Sequence, residues 1–381
     1  MENASIGSIN LFESFTFKNG ITLKNKVVMA PMTTWSSNDD YTVSDDELNY
    51  YRKRVNGVGL VITGCTSVTP NGIGFTNEFA AYDDKFIPSL RKLAEAAKSG
   101  GAPAILQIFH AGNKGVADLI PNGDVVSASS VVTEPTLFHQ DKVVPRELSH
   151  EEILDIIHAF GETTRRAIEA GFDGVELHGA HAFLMQNFFS PLFNRREDQW
   201  GGSLENRMRF PLAIVKELKS VIKKNTKKPF ILGYRISPEE SQEGGLRIND
   251  TYELIERLIE EDVDYMHVSL ANALSSTPVD SQDEKTYLEL IVEHVNGRVP
   301  LLAAGSMETP DDVAKALQKG LSLASIGHAL IINPDWVEKV KAGDQAGIDT
   351  VLKASKVSEL EIPKKLWAAI KETPGWFKIE E

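Results

Sequence analysis

Residues 171–207 read GFDGVELHGAHAFLMQNFFSPLFNRREDQWGGSLENR. A short apolar run, Val175-Glu176-Leu177, stops abruptly at His178-Gly179-Ala180-His181, and a long polar, aromatic loop follows with Arg195, Arg196 and the Gly201-Gly202 pair. A strand that ends in imidazoles and opens into a loop is how a barrel enzyme presents chemistry, because such barrels build their sites at the C-terminal ends of their strands. The two histidines are three residues apart, so a helical turn after the strand would place them on one face. Neutral imidazoles side by side are suited to gripping one oxygen of a substrate.

Seven further β-rich runs flank this one. They cover 25–30, 58–64, 103–109, 230–236, 265–270, 300–305 and 323–328, with 174–178 fourth in order. Most are near-continuous apolar stretches, the pattern of parallel strands covered on both faces. Amphipathic helices lie between them. Ser149-His150-Glu151-Glu152 offers a capping box, and Thr309-Pro310-Asp311-Asp312 puts Thr at the cap and Pro in the first turn. Eight such units in one chain predict an α/β fold of the (β/α)8 TIM-barrel type rather than an open sheet. Before the first unit, 15–23 reads as a β-hairpin turning at Asn19-Gly20, placed to close the barrel's N-terminal end. After about residue 345 the tail is helical in pattern and ends at Thr373-Pro374-Gly375-Trp376-Phe377. No Pro-, Gly- or Ser-rich linker divides the chain, so residues 1–381 read as a single domain.

Composition narrows the chemistry. A net charge of −14 opposes nucleic-acid and anionic-membrane binding. The one basic cluster, Lys223-Lys224 with Lys227-Lys228, fits solvated lysines at a helix C-terminus. No apolar run is long enough for a membrane span, and the acidic, polar N-terminus is no secretory signal, so a cytoplasmic location is expected. With Cys65 the only cysteine, internal disulfides and cysteine-held metal clusters are excluded. Cys65 itself is either a redox sensor or an ordinary buried small residue.

The strand ends, taken in order, carry Pro31, Met32, Thr33 and Trp35, then Gly64 and Cys65, Gln107 with His110, His178 with His181, Arg235, Gly305-Ser306 and Gly327-His328. They hold no paired carboxylates for glycosidase work or hard-metal binding, and no Ser–His nucleophile spacing. As zinc ligands the two histidines lack a third partner; as core residues they would be unusual at a polar strand end. No metal site is expected. Gly305 and Gly327 fall in the pair of loops where barrels bind phosphate, or simply end their strands. Gly72-Ile73-Gly74 does not open a helix and is no dinucleotide fingerprint.

Three segments carry a resemblance. They are Asn25-Lys26-Val27-Val28-Met29-Ala30-Pro31-Met32-Thr33, His178-x-x-His181, and the long run from Ser190-Pro191-Leu192-Phe193-Asn194-Arg195-Arg196 through Asp198, Trp200-Gly201-Gly202-Ser203 and Glu205-Asn206-Arg207. Across its length the chain resembles the old yellow enzyme family of FMN-dependent ene-reductases, in the bacterial branch of NADH-dependent flavin oxidoreductases. The resemblance implies FMN as cofactor, NADH or NADPH as reductant, and a small-molecule acceptor such as an enone, quinone or nitro compound.

It implies residue roles too. Arg235 would stabilise the charge of reduced flavin, its alternative being a buried salt bridge with a barrel carboxylate. Gln107 would donate to the C2 carbonyl and accept from N3–H. Thr33 would donate toward the C4 oxygen, while Pro31, Met32 and Gly64 contact the ring. Gly305, Ser306, Gly327 and His328 would hold the phosphate. His178 and His181 would polarise the acceptor's oxygen. Reduced nicotinamide would stack in the same pocket, giving ping-pong turnover. Trp35 would add an aromatic wall or core packing. Relatives form dimers or tetramers in which C-terminal residues can reach a neighbour's site, a role open to Trp376-Phe377.

Two departures stand out. The family's proton donor is a Tyr where this chain has Phe183, which has no exchangeable proton. His328 stands where relatives place a phosphate-binding Arg, and an imidazole is charged only below about pH 6.5. Two other readings remain open on sequence: a phosphate-binding barrel lyase or isomerase, and a degenerate flavin-binding protein. The absence of a strand-ending Lys speaks against Schiff-base chemistry.

Overall fold

The computed structural model describes residues 10–281 and 284–381. Residues 1–9, on which the leader reading partly rests, and residues 282–283 lie outside the described residues.

Eight parallel strands close into a barrel: β1 Val27–Met29, β2 Leu60–Ile62, β3 Ala104–Phe109, β4 Gly174–Gly179, β5 Ile231–Ile236, β6 Tyr265–Ser269, β7 Leu301–Ala304 and β8 Leu323–Ile326. Each pairs with the next in sequence, and β8 pairs back with β1. The apolar run at 58–64 forms strand only over Leu60–Ile62; the chain then bends and adds a two-residue strand, Thr66–Ser67, beside the C-terminal end of β3.

Side-chain alternation along the strands makes two cores. Val28, Leu60, Ile62, Ile105, Ile231, Tyr265, Leu302 and Leu323 fill the barrel interior, and Phe17 and Leu23 of the N-terminal hairpin pack onto them. The hairpin pairs Phe15–Thr16 antiparallel with Thr22–Leu23, and its turn needs Gly20 at φ +90°. It closes the N-terminal end, as its pattern predicts. Val27, Met29, Val61, Leu106, Val175 and Leu177 point the other way, into the layer beneath the surrounding helices.

Those helices begin where their caps are written. Ser149 starts His150–Ala170 and Thr309 starts Pro310–Gln318, each with a complete capping box. Lys223 and Lys224 occupy the last turn of Leu204–Asn225, where the helix dipole favours cations. The tail contains helix Lys364–Glu372, but it also pairs Leu352–Lys353 with Ile379–Glu380 in parallel, which its helical pattern did not predict. That pairing returns the C-terminus to the barrel mouth. Among the described residues, no helix is long and apolar enough to cross a membrane and no three His, Cys, Asp or Glu side chains converge as a metal site.

Candidate active site

A cavity of about 260 Å³ opens at the C-terminal ends of the strands. Its wall contains Pro31, Met32, Thr33, Trp35, Gln107, His178, His181, Phe183, Arg235 and His328, all singled out from sequence. Cys65, Phe75, Phe138, Ile331 and Trp376 complete it. Gly64, Gly305, Ser306 and Gly327 end β2, β7 and β8 but are not part of this wall. Ser306 adopts φ +48°, and its hydroxyl donates to the Ala271 carbonyl at 2.8 Å. Its side chain is thereby engaged, leaving main-chain groups as the means of meeting a phosphate there.

The histidines meet for a reason other than a helical turn. His181 and Ala182 both take left-handed backbone, at φ +58° and +56°, and helix Leu184–Phe189 begins only afterwards. This reversal brings the two rings to 4.8 Å between centroids, at 74°. Two consecutive non-glycine residues in this region carry local strain, which is concentrated where the chemistry is expected.

A backbone hydrogen bond sets the tautomer of His178. The Ala180 N–H donates to His178 Nδ1 at 3.3 Å, so the neutral ring carries its proton on Nε2. Arg235 Nη2 donates to Ser269 Oγ at 3.1 Å, and Ser269 Oγ lies 2.6 Å from His181 Nε2. Ser269 thus links the guanidinium to the His181 ring, its oxygen having lone pairs for both neighbours. Burial first, then the charges of His181, Arg235 and their neighbours, holds His178 well below the ordinary imidazole value. Enclosure, Arg235 and Lys114 act in the same direction on His181, whose residue is the more exposed. Both rings are neutral donors at pH 7.

Beneath them, Glu176 organises the barrel. Buried on β4, it accepts from Gln107 Nε2 at 2.7 Å, from the Tyr265 hydroxyl at 2.7 Å and from His267 Nδ1 at 2.9 Å. Burial alone would raise its carboxyl; His267 and Arg235, with the Tyr265 hydrogen bond, turn the balance and hold it below the ordinary value. Sequence reasoning passed over Glu176, Tyr265, His267 and Ser269. A carboxylate inside the apolar run of β4 was the available signal, since buried charge requires partners.

Arg235 is 7% exposed and forms no carboxylate salt bridge among the described residues; its directed partner is the Ser269 hydroxyl. Its Nε is buried without a partner among the described residues. Gln107 has spent one amide hydrogen on Glu176, leaving its carbonyl oxygen free to accept. Thr33 Oγ1 lies 3.7 Å from Cys65 Sγ, and Cys65 is a free, buried thiol whose acidity burial suppresses. It is a packing residue. His110 also turns away: buried, it accepts from the Gly112 N–H and contacts Asn71, and it lies outside the cavity wall.

Trp35 lies both on the cavity wall and in an aromatic cluster. It adopts φ +47°, lines the cavity, and packs edge-on against Phe75 and Trp376, each at 5.3 Å. Trp376 therefore folds over the cavity of its own chain. Phe377 stacks on His328 at 4.0 Å, and burial lowers that imidazole to about 4. In this setting His328 is an uncharged wall of the cavity.

A parallel barrel with one buried guanidinium, an amide and two neutral imidazoles around a single cavity has the donors and acceptors to hold a planar, hydrogen-bonding ring. The chain belongs to the NADH:flavin oxidoreductase / NADH oxidase family, whose model matches residues 10–346. It is 44% identical over 371 residues to the "Probable NADH-dependent flavin oxidoreductase YqiG" of Bacillus subtilis, covering 97% of this chain and 98% of that one. It is 37% identical to the NADH:fumarate oxidoreductase of Klebsiella pneumoniae over 94% of this chain, yet spans only 38% of that protein. Among solved structures, morphinone reductase in complex with tetrahydroNAD matches with TM-score 0.74 and 26% identity, covering 88% of this chain and 92% of that one. The old yellow enzyme homologue of Zymomonas mobilis shares the fold, with TM-score 0.75 and 24% identity over 88% of this chain and 93% of that one.

The chain is thus an old yellow enzyme-type oxidoreductase that uses FMN with NADH or NADPH as reductant. This sets aside the lyase and isomerase reading. The residues present fit the cofactor: the Arg235 guanidinium, which has no carboxylate partner among the described residues, and the Gln107 amide line one cavity with the apolar Pro31 and Met32.

Proposed function

We propose that the enzyme passes reducing equivalents from NAD(P)H, through FMN, to a small activated acceptor held by His178 and His181. The observation that carries this is the convergence of both imidazoles and Arg235 on one cavity. Bound FMN supplies a ring that stores two electrons and releases them as hydride. Arg235 would lie against its electron-rich edge, where a fixed cation favours the reduced form, while Gln107 would accept from the ring's N–H. Thr33, Pro31 and Met32 would orient it. Gly64 would approach its edge, and Gly305, Ser306 and Gly327 would receive the phosphate through main-chain N–H groups.

His178, through Nε2–H, and His181 would donate to a carbonyl, quinone or nitro oxygen. Donors fixed in advance stabilise the charge that develops there, at no reorganisation cost during the reaction. Phe183, 3% exposed and 4.8 Å from the His178 ring, has no proton to give. Acceptors that need no positioned carbon acid, such as quinones and nitro compounds, are accordingly favoured over enones. The reading extends to a single domain over residues 1–381, a cytoplasmic location and a homo-oligomer.

Stopped-flow work on the FMN-loaded enzyme tests this. NADH should bleach the flavin band, a quinone should restore it, and initial rates should give the parallel lines of ping-pong exchange. Failure of quinones, nitro compounds and enones alike to restore the band would refute the reading.

A further inference from the structure

Beside the flavin cavity lies a second one of about 150 Å³, and the two share Trp35, Phe75 and Phe138. Its wall holds an unusual pair. Asn113 is 1% exposed, and neither its amide nitrogen nor its amide oxygen has a hydrogen-bond partner among the described residues. Lys114, half-buried, donates to the His181 carbonyl at 2.8 Å, sits 5.8 Å from the Phe183 ring centroid, and has no carboxylate in ion-pair range among the described residues. A buried amide without partners and a sheltered cation without a counter-ion both carry a desolvation cost that a bound anion would relieve.

The other charges around this cavity do not neutralise Lys114. Glu134 is paired at 2.9 Å with Lys142, both well exposed, and Asp141 is exposed at the rim. His139 donates through Nε2 to the Gly74 carbonyl at 2.8 Å, and burial holds its ring near 4, so it is neutral. Burial lowers the Lys114 ammonium to about 8, with Glu240 opposing, which leaves it mostly charged at pH 7.

We propose that this second cavity is a carboxylate subsite for the acceptor, in which Lys114 Nζ and, on a turn of its buried side chain into the cavity, the Asn113 amide receive the carboxylate while the acceptor's reducible end occupies the His178–His181 cavity. The inference rests on the reading of the first cavity as the acceptor site. Two features support it. The space is too small for the adenosine and pyrophosphate of a nicotinamide dinucleotide. The two cavities share the wall residues Trp35, Phe75 and Phe138, so a ligand in one lies directly beside the other.

Calorimetric titration of the oxidised, FMN-loaded enzyme with 3-phenylpropanoate and with its methyl ester tests the proposal. The acid should bind at least tenfold more tightly than the ester. Lys114→Gln should reduce that ratio to about twofold or less, while Lys114→Arg should keep most of it. Using the ratio removes any effect that Lys114 exerts through His181, and equal flavin content and melting temperature confirm intact folding. Equal affinities in the wild-type enzyme, or a ratio that survives Lys114→Gln, would overturn the subsite. So would a Lys114→Gln defect confined to NADH-driven bleaching, which would assign the cation to the reductant's pyrophosphate. Loss of quinone-driven flavin reoxidation in the wild-type enzyme would instead indict the underlying reading, and the acid-to-ester ratio would still decide whether the cavity takes a carboxylate.

Discussion

Gln107 and Glu176 stand opposite each other on adjoining strands β3 and β4, and the Gln107 amide donates to the Glu176 carboxylate at 2.7 Å. The carboxylate that fixes this amide also receives Tyr265 and His267, so one buried charge orders three strands beneath the cavity proposed to hold FMN. Glu176→Gln should therefore act on both fold and cofactor. Removing one member of a buried charged network typically costs about 3 kcal/mol or more. A fall of several degrees in melting temperature and weaker FMN retention are expected, measured by thermal unfolding and flavin release. Wild-type stability with wild-type FMN affinity would show that Glu176 does not organise the site.

Acid should weaken the fold in two stages. His110 is buried neutral and held down to about 3, so between its ordinary value of about 6.5 and that lower value only the unfolded chain takes up the proton. At pH 5 this imidazole alone should cost about 2 kcal/mol of stability. His139 and His328, each near 4, shift stability in the same direction. Glu176 acts at lower pH: its depressed carboxyl stabilises the fold above the ordinary carboxylate range, and that contribution is lost as pH falls through its folded value. Melting temperature should drop steeply from pH 6.5 to 5, and the drop should be smaller in His110→Asn.

FMN affinity should be level between pH 6 and 8. A charged His328 would have made it rise toward pH 6, but burial keeps the ring neutral until about pH 4. His328→Arg should tighten FMN if that position reaches the phosphate, and fluorescence titration of the apoprotein reads both outcomes. An affinity that climbs several-fold from pH 8 to 6 would contradict the neutral, stacked His328.

Phe183→Tyr should restore a proton source. General acids contribute on the order of 10²–10⁴-fold where protonation limits the rate. Enone reduction should rise at least tenfold relative to quinone reduction, measured as the ratio of kcat/KM values. An unchanged ratio would mean that protonation is not what limits enone turnover.

Much of this was legible in the residues, for identifiable reasons. Parallel strands buried on both faces write themselves as apolar runs, caps mark helix starts, and Asn19-Gly20 marks the hairpin. The cavity residues could be named because barrel geometry places every strand end around one mouth. What escaped notice was of two kinds. Glu176, Tyr265, His267 and Ser269 point inward from runs that look simply apolar, so their network exists only once four strands are in register. The left-handed backbone of His181 and Ala182 has no glycine to announce it, and Trp376 reaches Trp35 across 341 positions of sequence, a contact no local pattern encodes. The tail could be read as reaching a neighbour's site; in the folded chain it covers its own.

The central claim is that two neutral imidazoles hold the acceptor. Its most direct test is the rate at which a quinone reoxidises the NADH-reduced enzyme, compared between wild type and a variant carrying both His178→Ala and His181→Ala. Loss of such pre-arranged donors typically costs on the order of 10²–10³-fold each, so reoxidation should slow at least a hundredfold while the flavin remains bound. Reoxidation at the wild-type rate by the flavin-loaded double variant would contradict the account.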